Sequence, residues 1–144
     1  MIEYIKNHPE GSEIYQNGQS FICNKTMNYM INMWCIDHLF TYQGYREAVS
    51  KKLHIKQLIP IYLCETNAFI PIKRVKDYDN IFINMHAVFS FIGNSYETVI
   101  TFKSMNKLKL QISLSKFKLQ VEKLEMIRNT KVKHFHSLNH RKSL

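Results

Sequence analysis

Residues 107–119 read KLKLQISLSKFKL, and the period of the apolar positions changes partway along. Leu108, Leu110, Ile112 and Leu114 alternate with Lys107, Lys109, Gln111 and Ser113, the two-residue period of a strand with one buried and one wet face. Beyond Ser113 and Ser115, the residues Phe117, Val121, Leu124 and Ile127 recur at three- and four-residue spacing, the period of a helix with one apolar stripe. Either serine suits the start of that helix, because a side-chain oxygen there accepts from an otherwise unpaired backbone N–H. The stretch is a strand-to-helix junction. A membrane-surface helix would keep one period throughout, so the switch argues against that reading.

Upstream, residues 1–25 mix short apolar clusters (MIEYI, SFIC) with turn formers (HPEGS, QNGQ), which predicts strands or irregular structure. From Thr26 the period is helical. Asn24, Asn28 and Asn32 share one face and Met27, Met30, Ile31, Trp34 and Cys35 the other. Thr26 or Asn24 can cap it. A second helix is predicted over 43–53, with Tyr45, Ala48, Val49 and Leu53 inward. IPIYL (59–63) and AFIPI (68–72) flank CETN as a hairpin, with Pro60 and Pro71 at strand starts or edges. KRVKDYD (73–79) reads as a loop, IFINM and HAVFSFI as one or two strands, and ETVITFK (97–103) as another. The fold class this predicts is α+β: two helices, an antiparallel sheet of hairpins and a closing C-terminal helix. Residues 1–128 form one domain in this scheme, and residues 129–144 a mobile basic tail.

Apolar residues make up 45% of the 144, enough for a real core, since a domain of this size buries ~68–70% of its unfolded surface. MIEYIKNHPE lacks the apolar run of a signal peptide. The most apolar stretch, residues 81–92, is broken by Asn84, His86 and Ser90 and falls short of the ~20 residues of a spanning helix. Three widely spaced cysteines argue against a disulfide framework and for a reducing compartment. The expectation is a cytoplasmic protein that does not engage membrane.

The net charge is +9, and all of it lies at one end. Residues 1–102 hold nine Lys/Arg and nine Asp/Glu; residues 103–144 hold eleven basic residues against Glu122 and Glu125. An AT-rich genome would account for lysine outnumbering arginine 16 to 4, but not for where the lysines sit. A concentrated positive field of this kind attracts phosphates or anionic lipid. The candidate contacts are Lys103, Lys107, Lys109, Lys116, Lys123, Arg128, Lys131 and Lys133. Any one of them alone is better read as an ordinary solvated lysine; the cluster as a whole favours phosphate. Arg46, Lys51, Lys52 and Lys56 form a second basic group, diluted by Glu47 and Ser50, for which an ordinary charged surface is the better reading.

His134, His136 and His140 lack the fixed backbone and cysteine partner of a metal site, so no metal and no cofactor is expected. Cys35 and His38, three apart, read as a buried structural thiol near a helix end, and His86 as a satisfied core histidine. No Ser-His-Asp order, glycine-rich phosphate loop or paired carboxylates are present. An enzyme is not expected.

Together these residues carry a resemblance. ITF (100–102) is followed by Leu110, Ile112-Ser113, Phe117 and Gln120-Val121. NIFINMH (80–86) is similar to an Asn-Ile-Trp-Leu-Asn-Met-His strand, with Phe82 at the Trp position. Cys35, Tyr42, Gly44 and Pro60-Ile61 precede it, with Phe69 and Pro71 closing the hairpin. Over residues 35–127 the chain resembles the ComK family, competence transcription factors of Gram-positive bacteria. It departs from the family at Leu39-Phe40-Thr41-Tyr42, in place of Gly-Ser-Ser-Tyr, and at Met105-Asn106, in place of an Asn-Gly turn. The amino-terminal portion is short against that pattern, and beyond the closing helix only the basic tail follows. The resemblance implies an oligomeric activator of competence genes that binds A/T-rich promoter boxes through the minor groove, with a proteolytic adaptor as a further partner. A second reading is a shortened interaction protein that titrates or hetero-oligomerises with a full-length ComK-type activator. The third, a peripheral membrane protein using its basic end, is disfavoured by the change of period.

Overall fold

The computed structural model describes residues 1–143, with side-chain surroundings through Lys133. The chain opens with three strands, β1 (Ile2–His8), β2 (Gly11–Gln16) and β3 (Gln19–Cys23), followed by α1 (Met27–Asp37) and α2 (Tyr42–Leu53). Next come β4 (Ile61–Cys64), β5 (Asn67–Pro71) and β6 (Ile81–Asn84), a 3-10 turn at Met85–Ala87, then β7 (Val88–Gly93), β8 (Thr98–Phe102) and β9 (Lys107–Leu110). The last element is α3 (Leu114–Ser143). The α+β class and the closing helix are as the sequence predicts. Local chemistry accounts for the boundaries. Asn17 (φ 51°) and Gly18 (φ 81°) make the tight β2–β3 turn, the left-handed pair that lets a two-residue connection match strand twist. Thr26 Oγ1 accepts from Tyr29 N at 3.1 Å and Thr41 Oγ1 from Gly44 N at 3.0 Å, capping α1 and α2.

The predicted single sheet is two. A six-stranded antiparallel sheet has the order β3-β2-β1-β6-β5-β4, and a separate three-stranded one the order β7-β8-β9. The amino-terminal strands are joined to the later hairpin by β1 beside β6, with Tyr4 opposite Ile83 and Ile5 opposite Phe82. Long-range pairing of this kind leaves no local trace in sequence. Neighbours on one strand face opposite ways, so the large sheet builds two cores. Ile5, Ile14 and Phe82 pack with Ile31 and Cys35 of α1, Tyr45 and Val49 of α2 and Leu124 and Ile127 of α3. Ile83, on the opposite side from Phe82, packs with Ile100, Phe102, Leu110 and Phe117, so the small sheet and the start of α3 close that second core.

Ser113 is the cap chosen between the two serines, its Oγ accepting from Lys116 N at 3.2 Å. Gln120 then anchors α3, its Nε2 donating to Leu58 O at 2.8 Å and Pro71 O at 2.9 Å. The helix does not stop near Arg128, as the tail assignment predicts, but continues to Ser143. No glycine or proline follows Leu114 to break it, and Thr130, Lys131 and Val132 remain partly covered. The side chains of His134, His136 and His140, set aside above as metal ligands, lie outside those described, as do those of Arg141 and Lys142.

Candidate nucleic-acid interface

The small sheet sets the directions of the predicted lysines. Val99 of β8 lies between Ile92 of β7 and Lys109 of β9, and Thr101 between Ser90 and Lys107. These two rows form the outward face, because the alternate positions Ile100 and Phe102 are buried. At the β7 end a bulge falls between Val88 and Ser90. The extra residue, Phe89, is 67% exposed, and Ile92 is 72% exposed. The outer face therefore combines two lysines with small hydroxyl side chains and two unpartnered apolar ones.

Lys107 is exposed, with no carboxylate in ion-pairing range among the described residues. Lys109 Nζ pairs with Glu97 Oε2 at 2.9 Å. Lys103 stands exposed in the β8–β9 turn, where its backbone N donates to Ala87 O at 2.9 Å. Met105, at φ 73°, occupies the left-handed position of that turn, where the family pattern has the asparagine of its Asn-Gly pair. Ser104 Oγ bonds the Glu3 carboxylate, and Asn106 Nδ2 donates to Ser104 Oγ at 2.9 Å, so side-chain bonds brace the turn. Lys116 and Lys118 project from the first turns of α3, whose first turn carries no acid. Lys133 is exposed further along.

Three of the predicted contacts are engaged by the protein's own groups instead. Lys123 Nζ donates to Gln57 O at 3.2 Å, and partial burial lowers its pKa. Arg128 forks onto Glu65, with Nε 3.0 Å and Nη2 2.9 Å from Oε1. Bonds from Arg128 and then the Tyr62 hydroxyl hold the Glu65 carboxyl below its usual range. Lys131 is the most enclosed. Its Nζ lies 4.6 Å from the Phe40 ring centroid, 5.2 Å from Tyr45 and 5.7 Å from Tyr62, and donates to Tyr62 O at 3.1 Å. Burial lowers the pKa of this ammonium. Each of the three ties α3 to the α2–β4 connection or the β4–β5 hairpin. Composition alone does not separate a lysine that holds the protein together from one that meets a ligand.

Two further groups escaped the sequence reading. Phe89 and Ile92 are hidden within a stretch that reads as an ordinary buried strand, because a bulge leaves no sequence mark. Lys73, Arg74 and Lys76, read as loop, gather with Arg46 and Lys56 around one cavity. Of the other singled-out residues, Cys35 is fully buried and its thiol is pushed up to about 11 by burial. His38 bonds Trp34 O through Nδ1 at 2.9 Å and reaches Cys64 rather than Cys35. The family-like Asn84 is a buried hub: its Oδ1 accepts from Ala68 N and His86 N, and its Nδ2 donates to Ile2 O and Thr66 O. Among the described residues no group of three or more His, Cys, Asp or Glu could hold a metal, and no helix is long and apolar enough to cross a membrane.

No curated protein and no solved structure matches the chain. The family model described as ComK protein matches residues 2–135. That span takes in β1 to β3 as well as residues 129–135, beyond the 35–127 that carry the sequence resemblance. The chain belongs to the ComK family, whose members are competence transcription factors.

Proposed function

We propose that the protein is a DNA-binding regulator of competence genes that recognises A/T-rich duplex through the outer face of the β7–β8–β9 sheet and the start of α3. The observation carrying this reading is the set Lys103, Lys107 and Lys116, exposed and without carboxylate partners among the described residues, beside an outward Phe89 and Ile92. Lysines entering the narrow, strongly negative minor groove of A-tracts gain electrostatically, and apolar wedges beside them unstack flexible base steps. Fluorescence anisotropy with A/T-rich and G/C-rich duplexes of equal length, over a salt series, tests it. Tighter binding to the A/T-rich duplex and a steep salt dependence are expected; equal affinity for the two refutes it.

One observation favours a second reading, pairing with another ComK-type chain. β3 is an open edge of the large sheet, and Phe21 and Ile22 on its opposite faces are 51% and 49% exposed. Such an edge is a template for strand addition. Co-purification with a full-length relative, lost when Ile22 is replaced by lysine, would support it.

A further inference from the structure

The charge-balanced part of the chain holds a cavity of about 450 Å³ between α2, the α2–β4 connection and the β5–β6 connection. Arg46, Lys56, Lys73, Arg74 and Lys76 line it, and no aspartate or glutamate does. Two of these cations are matched from outside: Lys73 bonds Asp79, and Arg74 Nε lies 3.3 Å from Asp77 Oδ2. Arg46, Lys56 and Lys76 have no carboxylate in ion-pairing range among the described residues. Glu47, on the adjoining groove, is engaged by Gln43 Nε2 at 3.3 Å.

Arg46 is held ready rather than free to swing. Its guanidinium carbon sits 4.2 Å from the Tyr42 ring centroid, and its Nε is withdrawn from solvent without an acceptor. A guanidinium fork flanked by ammonium groups is the donor set that matches phosphate oxygens. Leu58, Ile59 and Val75 add an apolar wall, which a bare phosphate would leave uncovered. The volume falls in the range of small-molecule sites, ~300–1,000 Å³.

We infer that this cavity binds a phosphorylated small molecule, its phosphoryl oxygens on Arg46, Lys56 and Lys76 and its carbon body against Leu58, Ile59 and Val75. The assignment is independent of the DNA-binding reading, since it uses none of the lysines assigned to duplex. The test is calorimetric titration of the full chain with a panel of phosphate monoesters (adenosine monophosphate, ribose 5-phosphate, glycerol 3-phosphate), with inorganic phosphate and with adenosine. At least one monoester is expected to bind at least tenfold more tightly than inorganic phosphate, and adenosine not at all. Arg46→Met and Lys76→Gln should each weaken the monoester at least fivefold. Lys76, on a loop, guards against a folding defect in the Arg46 variant. No monoester binding above inorganic phosphate, or affinity unchanged in the Lys76 variant, overturns the inference. Displacement of the monoester by A/T-rich duplex would assign the cations to the DNA path and also overturn it; retention of the monoester in excess duplex supports a separate site.

Discussion

Replacing Lys131 with methionine separates two roles that composition alone confounds. Methionine keeps most of the aliphatic stem and removes the ammonium seated among Phe40, Tyr45 and Tyr62. The losses are a charged hydrogen bond to Tyr62 O at 3.1 Å, ~1.5–3 kcal/mol, and ring contacts of ~0.5–1 kcal/mol each at partly exposed sites. Set against them is relief from desolvation, since burial disfavours the charged form and depresses its pKa. The balance is a destabilisation of ~1–2 kcal/mol, which for a chain of this length lowers Tm by about 3–6 °C. Urea and thermal unfolding followed by circular dichroism read that loss. Duplex affinity of the folded variant should stay within about twofold of the wild type, because the ammonium faces the protein. Lys107→Met should do the reverse: stability unchanged within ~0.5 kcal/mol, and affinity for A/T-rich duplex reduced, with the log–log salt slope shallower by about 0.9. A Lys131 variant as stable as wild type that loses duplex affinity as Lys107→Met does would refute the assignment of Lys131 to the fold.

Phe117→Ala empties a site that is 0% exposed at the meeting of both sheets and α3, so denaturant titration should show a loss of ~3–5 kcal/mol. Gln120→Met leaves the Leu58 and Pro71 carbonyls without their donor, a cost of ~1–3 kcal/mol for each acceptor left unsatisfied, measurable in the same way. Alkaline titration should weaken the fold. Burial raises Tyr42 and Tyr62 from 10.0 to about 12 and Cys35 from 9.0 to about 11. The folded state thus holds protons that the unfolded chain releases first; this stability is complete below about pH 9 and is lost as pH climbs through 11 and 12, a fall that unfolding midpoints against pH would reveal. Cys64 behaves oppositely. Burial acts to raise its thiol, but bonds from Thr66, His38 and Asn67 prevail and bring it to about 7. Iodoacetamide near neutral pH should therefore label Cys64 well ahead of Cys35, as peptide mass mapping can show; equal labelling would contradict the two environments.

What could be read in advance was what the chain encodes locally. The period switch in residues 107–119 places β9 and the start of α3, because alternation and helical recurrence are short-range consequences of which face is buried. The Thr26 cap and the Asn17-Gly18 turn were legible for the same reason. The pairing of β1 with β6 was not, since it joins Tyr4 to Ile83 by backbone bonds that do not depend on side-chain identity. The division into two sheets follows from that pairing and was hidden with it. The interface divides along similar lines. Charge excess locates the basic half, but whether a lysine serves the protein or a ligand depends on what stands opposite it. Gln57 O stands opposite Lys123, Glu65 opposite Arg128 and three aromatic rings opposite Lys131, all brought there by α2 and the chain on either side of it. Those partners engage cations along the middle of α3, so the proposed duplex surface rests on Lys103, Lys107 and Lys116, around the small sheet. On that proposal the electrostatic footprint centres on β9 and the start of α3 rather than running along the length of the helix.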